Sequence, residues 1–138
     1  MSDQLQMLLT KDVAIKVSST LDKSVGKKFL TDGNPETCWT SQQGTPQYIQ
    51  IAFDKPVLPR RIVCTFQGGF VGTRCDVQID WRTWTTIFPE DVNRSQDFDL
   101  PGEGVEGGVR AMKLVFTESS DFFGRITVYD LQVLGSFV

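Results

Sequence analysis

Apolar and polar residues alternate along most of this chain, and no long segment carries the period of a helix. Val13, Ile15 and Val17 alternate with Ala14, Lys16 and Ser18 and predict a first strand. Ile49, Ile51 and Phe53 share one face of residues 48–53, which Asp54-Lys55-Pro56 ends. Over 61–67 both faces are apolar enough for a central strand. Cys75, Val77, Ile79 and Trp81 alternate with Asp76, Gln78 and Asp80, the clearest half-buried strand. Residues 84–88 read as its hairpin partner through Arg82-Thr83. Further strands are expected at 96–100, 110–116 and 125–134. In the last of these the alternation slips near Asp130: Ile126 and Val128 are in one phase, Leu131 and Val133 in the other, as a bulge produces. A short helical turn fits residues 25–30. The links at 31–37, 42–47, 68–72 and 101–108 are rich in Gly and turn formers. About eight short antiparallel strands joined this way predict an all-β sandwich. Residues 1–12 read as an N-terminal extension and 13–138 as the single domain.

Composition narrows the function classes. The chain has 138 residues, enough for one core, and a net charge of −3. Lys27-Lys28 and Arg60-Arg61 are isolated basic pairs, so a direct nucleic-acid groove is not expected. Met7-Leu8-Leu9 is too short for the apolar region of a signal peptide, and no apolar run is long enough to span a membrane. Three cysteines, Cys38, Cys64 and Cys75, cannot all pair within the chain, which favours reduced thiols in the cytoplasm or nucleus. The sequence contains no His, which removes Ser–His and Cys–His nucleophile pairs and Cys/His zinc sets. An enzyme is not expected.

Three features carry candidate chemistry. Residues 30–41 combine turn formers (Asp32, Gly33, Asn34, Pro35), oxygen donors and Trp39. Two readings stand open there: an Asx-type turn leading into a buried Trp, or a calcium loop using Asp32 and Thr37 with turn carbonyls. Leu5-Gln6-Met7-Leu8-Leu9 fits the LxxLL pattern. On a helix Leu5, Leu8 and Leu9 would sit at i, i+3 and i+4 and enter a hydrophobic groove, the mode that docks on nuclear receptors; packing over an end of the sandwich is the alternative. Finally, Phe70 among glycines and the pair Phe122-Phe123 place aromatics on loop tips, with Arg125 at the edge, where a partner would meet them.

Asp32-Gly33-Asn34, then Thr37, then Trp39, resembles the loop of the galactose-binding-like jelly-roll sandwiches, the discoidin or factor V/VIII type C group. The resemblance implies a structural calcium. Carried over, Asp32 gives a side-chain oxygen, Asn34 a carbonyl, Thr37 its hydroxyl and Phe29 a further carbonyl. Asp130 stands where the group has an acid in the final strand. Phe66-Gln67-Gly68-Gly69-Phe70, and Asp121-Phe122-Phe123-Gly124-Arg125 running on to Val133-Leu134-Gly135, resemble the nuclear receptor 2C2-associated protein family within that fold. Gly26-Lys27-Lys28 and Glu36-Thr37-Cys38-Trp39 fit as well; residues 71–108 carry no resemblance. The family implies a non-enzymatic intracellular protein that binds an orphan nuclear receptor and represses it by hindering its binding to DNA. The fold alone also allows a carbohydrate-binding module. The run from Asp32 to Thr37, shared with a small intraflagellar transport protein, allows a subunit of a ciliary transport assembly.

Overall fold

The computed structural model describes residues 4–138. Nine strands form among them: β1 (Gln6–Met7), β2 (Ala14–Val17), β3 (Trp39–Thr40), β4 (Gln47–Phe66), β5 (Arg74–Ile79), β6 (Arg82–Ile87), β7 (Ser95–Asp99), β8 (Val109–Glu118) and β9 (Thr127–Phe137). Two 3-10 turns, Lys23–Val25 and Lys27–Leu30, stand where the helical turn was expected. Among the described residues no helix is long and apolar enough to cross a membrane.

β4 organises the sandwich. Its first part pairs with β2 on one edge and β8 on the other, and β8 continues through β5 to β6. Its last part pairs with β7 and β9, and β9 also carries β1 and β3. Every pairing is antiparallel, so β4 passes from one layer into the other. The inner faces of the two layers meet in one core that includes Trp39, Ile49, Phe66, Leu114, Phe116 and Val133. Phe66 and Phe116 meet edge to face at 5.8 Å between ring centroids. Trp39 is fully buried and its indole N–H donates to the Ser19 carbonyl at 3.0 Å, which satisfies the one polar atom it takes inside.

Several expected boundaries move. The strands read at 48–53 and 61–67 are one strand of 20 residues. Register shifts between Ala52 and Val57, and between Pro59 and Arg61, absorb the prolines that looked like terminators. The hairpin turn is Asp80-Trp81 rather than Arg82-Thr83, since Ile79 pairs with Arg82. Both turn residues have positive φ, 46° and 71°, as a mirror-image two-residue turn demands. Asp80 holds it by accepting the backbone N–H of Arg110 and of Ala111, each at 3.0 Å. The slip at Asp130 is a bulge: Thr65 pairs with Asp130 and Phe66 with Val128, leaving Tyr129 as the extra residue.

Residues 6–9 of the N-terminal segment join the sandwich. Gln6 and Met7 pair with Gly135 and Leu134, the Leu8 amide donates to the Val133 carbonyl at 2.8 Å, and Leu8 and Leu9 belong to the core. The LxxLL helix is therefore replaced by an edge strand. Leu5 is half-buried, and Leu8, with no exposed surface, is not free to enter a partner's groove.

Candidate functional site

One end of the sandwich gathers the links between β4 and β5, between β6 and β7, and between β8 and β9. Backbone pairing joins them. Val71 accepts from the Ser120 amide at 2.9 Å, and Phe70 accepts from the Thr127 amide at 3.0 Å. Asp91 adds a carboxylate that takes the Gly69 amide at 2.8 Å and the Ser120 hydroxyl at 3.1 Å. Asn93 takes the Gly68 amide at 3.0 Å.

The centre is a turn over residues 121–124, closed by the Gly124 amide donating to the Asp121 carbonyl at 3.0 Å. Asp at the first position and Gly at the fourth suit the commonest β-turn. Phe122 and Phe123 are left at the corner. The Asp121 carboxylate receives both the Arg125 amide, at 3.0 Å, and its guanidinium Nε, at 2.9 Å. The Ser119 hydroxyl donates to the Arg125 carbonyl at 2.7 Å and accepts from the Asp121 amide at 3.0 Å. From outside, the Gly44 amide donates to the Phe123 carbonyl at 2.7 Å. Gly124 has φ of 83°, and a Cβ there would sit 2.9 Å from the Gly44 backbone. Only glycine meets both conditions.

This frame displays aromatics instead of burying them. Phe122 is 92% exposed and Phe123 54%, and their rings meet edge to face at 5.2 Å. The Arg125 guanidinium lies 5.1 Å from the Phe70 ring centre and 5.9 Å from that of Phe123, shared between the two. The Arg125 hydrogen bonds hold the Asp121 carboxyl below the usual carboxylate range, and Asp121 in turn raises the Arg125 guanidinium. The ion pair is half-buried and fixes the guanidinium against the rings. The structure thus brings Phe70, Phe122, Phe123 and Arg125 to one end. Sequence reading missed Phe88, which is 64% exposed with the Arg74 guanidinium 5.9 Å from its ring, at the same end of the β5–β6 hairpin. The signal was the adjacent apolar pair Ile87-Phe88 immediately before Pro89, which one face of a strand cannot bury together.

The loop after Leu30 is built differently. Asp32 accepts from the Asn34 amide at 3.0 Å and from the Thr37 hydroxyl at 2.7 Å, and the Thr37 hydroxyl lies 3.1 Å from the Asn34 carbonyl. The Thr37 hydroxyl bond, then the Asn34 amide, holds Asp32 below the usual carboxylate range. The Thr37 hydroxyl thus joins these oxygens by hydrogen bonds, with a single carboxylate among them, and no cluster of three or more acidic or cysteine side chains that could hold a metal ion forms among the described residues. Asp130 is half-buried on β9 with its carboxylate taking the Gln132 amide group at 3.1 Å, and no hydrogen bond joins it to the loop among the described residues. Phe29 closes its turn through its amide to Gly26. Burial pushes the Cys64 and Cys75 thiols up, away from the nucleophilic thiolate form.

No protein-family model matches the chain. It is 38% identical to the nuclear receptor 2C2-associated protein of Danio rerio, over 94% of this chain and 96% of that protein. With the Homo sapiens protein of the same name it shares 34%, over 95% and 97%. Among solved structures it matches the F5/8 type C domain of a Bacteroides fragilis protein at TM-score 0.73 and 12% identity, covering 92% of this chain and 93% of that one. It matches the family 32 CBM of C. perfringens NanJ in complex with galactose at TM-score 0.73 and 15% identity, covering 95% and 99%. These neighbours share the galactose-binding-like sandwich; at such identity the likeness concerns the fold alone.

Proposed function

The chain belongs to the nuclear receptor 2C2-associated protein family, and on that premise we propose that it is a non-enzymatic protein-interaction module whose partner is the orphan nuclear receptor its relatives are named for. The observation that carries this reading is the braced aromatic pair Phe122-Phe123. A phenyl ring gains about 1.5–3 kcal/mol on full burial. A rigid loop gives up little conformational entropy when a partner covers it. An exposed pair fixed by Asp121, Ser119 and Gly44 therefore has the properties of an interface hot spot. Phe70 and Arg125 support it from behind. The protein would repress the receptor by covering its surface and hindering its binding to DNA. It would act in the nucleus, the cytoplasm or both.

The test is binding of the purified receptor, followed by a gel-shift assay of the receptor on its DNA site. The wild-type chain should bind and reduce the shifted band. Phe122→Ala with Phe123→Ala should weaken both effects while keeping the melting temperature. Undiminished binding by that variant would remove the surface. A glycan array read in parallel tests the carbohydrate alternative, which predicts hits that the same variant loses.

The Asp32 loop is proposed as a structural calcium site, with Asp32, the Asn34 carbonyl and Thr37 as its core and with Phe29 and Asp130 completing the set. Calcium at about 1 mM, the range of weak extracellular-type sites, should raise the melting temperature of the wild type more than that of Asp130→Asn. Equal responses dismiss the site.

A further inference from the structure

Among the described residues no element covers the outer face of the layer built on β2, β4, β8 and β5. Residues directly opposite one another in an antiparallel pair share a face, so its composition follows from the register. Lys16 pairs with Gln50, Gln50 with Lys113, and Lys113 with Gln78, which makes one row across four strands. The next row is Ala14, Ala52 and Ala111. The inward partners Ile15, Ile51, Met112 and Ile79 pack in or against the core, which fixes the other row set as outward. Lys27, from the second 3-10 turn, joins Lys16 in lining an open groove of about 320 Å³ with Ala14, Ile15, Gln50 and Ala52.

Positive charge predominates on this face. Among the described residues the ion pairs are Arg61–Asp99, Arg74–Asp76, Arg94–Glu90 and Arg125–Asp121, so Lys16, Lys27 and Lys113 have no carboxylate partner. Lys113 instead lies 4.2 Å from the ring centre of Tyr48 on the same face. The face has two acids: Asp76, occupied by Arg74 at 3.8 Å and by the Thr86 hydroxyl at 3.0 Å, and Asp54, exposed on β4 beyond Ala52, across the alanine row from the lysines. In a chain of net charge −3, this leaves a local excess of positive charge over a floor of alanines.

We propose that this face binds an acidic, extended segment of a protein partner. Charge complementarity selects the occupant. Neighbouring strands lie about 4.8 Å apart, which places Lys16 and Lys113 about 10 Å apart, and alternate residues of an extended peptide lie about 6.6–7 Å apart. The two spacings differ by about 3 Å, which flexible lysine side chains can span, so carboxylates on one side of such a peptide reach both lysines. Gln50 and Gln78 offer amide donors between them, and the alanines let a backbone approach closely. A second copy of this chain packed face to face would set lysines against lysines. A nucleic acid would need a longer cationic track. The inference stands apart from the aromatic surface.

The test uses the full chain and a fluorescent peptide of alternating Glu and Thr, read by anisotropy at low salt. The peptide should bind, and added salt should weaken it. Lys16→Glu with Lys113→Glu should lower the affinity roughly tenfold or more, as about 1.4 kcal/mol or greater, and should let the chain bind the corresponding Lys–Thr peptide. Lys16→Gln with Lys27→Gln, which only removes charge, should give a smaller loss in the same direction. Phe122→Ala with Phe123→Ala should leave peptide binding unchanged. Equal affinity of the wild type and the charge-reversed protein overturns the proposal. Absence of peptide binding overturns it too, as does a preference for inorganic tripolyphosphate or a short DNA duplex.

Discussion

Two turns in this molecule push large aromatic side chains into water, and they do so by opposite means. Each begins with an Asp whose carboxylate accepts backbone N–H groups. In the turn over residues 121–124 the positive φ falls on Gly124, so Phe122 and Phe123 keep ordinary backbone angles. In the β5–β6 hairpin no glycine is present, and Trp81 itself takes a φ of 71° while 68% exposed. The two phenylalanines also meet edge to face, and Phe123 lies against Arg125. Trp81 has no aromatic or cationic ring contact among the described residues. Exposure alone therefore does not mark a binding site. The loop displays its aromatics from an unstrained, multiply bonded frame, whereas the hairpin tip holds its Trp against the backbone preference.

Substitutions can break or sharpen that contrast. Gly124→Ala should have the largest effect, because the new Cβ meets both a positive φ and the Gly44 backbone at 2.9 Å. A loss of about 3 kcal/mol is expected, seen as a melting temperature lower by roughly 10 °C. A drop of under about 1 °C would show that the frame does not need glycine. Next, Phe122→Ala with Phe123→Ala should weaken receptor binding roughly 10- to 100-fold while stability changes by less than about 0.5 kcal/mol. Trp81→Ala should leave binding unaltered, and the reverse pattern would invert the comparison. Third, Trp81→Gly should stabilise the fold by about 1 kcal/mol, raising the melting temperature by a few degrees. A fall would mean that the indole packs usefully.

The smallest effect concerns pH. Arg125 depresses the Asp121 carboxyl in the folded chain. The folded state therefore binds that proton less readily than the unfolded one. The stabilisation is complete above the ordinary Asp value of about 3.9 and disappears as pH falls through the lower folded value. Asp121→Asn should flatten that part of the stability profile between neutral and acid pH in denaturant titrations.

Local pattern carried much of this fold and stopped where distant pairing decides. The alternation of Val77 and Ile79, the burial of Trp39 and the bulge beside Asp130 were legible, because each follows from side chains within a few residues. The Phe122-Phe123 tip was legible because an apolar pair flanked by Asp121 and Gly124 has no strand to join. The continuity of β4 was not. Pro56 and Pro59 end a strand by local rules, and only the register shifts against β8 and β9 show how they are accommodated. Leu5, Leu8 and Leu9 carried helical spacing, yet pairing with Gly135 and Leu134 claimed the segment as a strand. Phe88 escaped notice because its neighbour Arg74 lies across the hairpin. The hairpin turn was misplaced because a Trp at positive φ contradicts propensity, and it is Asp80, bonded to β8, that holds it there.

The strand shared between the layers bears on how the protein is made. β4 is complete at Phe66, but the two strands that flank it for most of its length begin at Val109 and Thr127. At ordinary rates of translation β9 follows β4 by roughly 3–12 seconds. During that interval the 20-residue strand has apolar residues on alternate positions, and the backbone groups that β8 and β9 later take remain open, the condition under which nascent chains pair wrongly. Folding can close only when the C-terminal strand leaves the ribosome. Chaperone contact during synthesis should therefore concentrate on residues 47–66, and chains halted before Thr127 should crosslink to chaperones through that stretch.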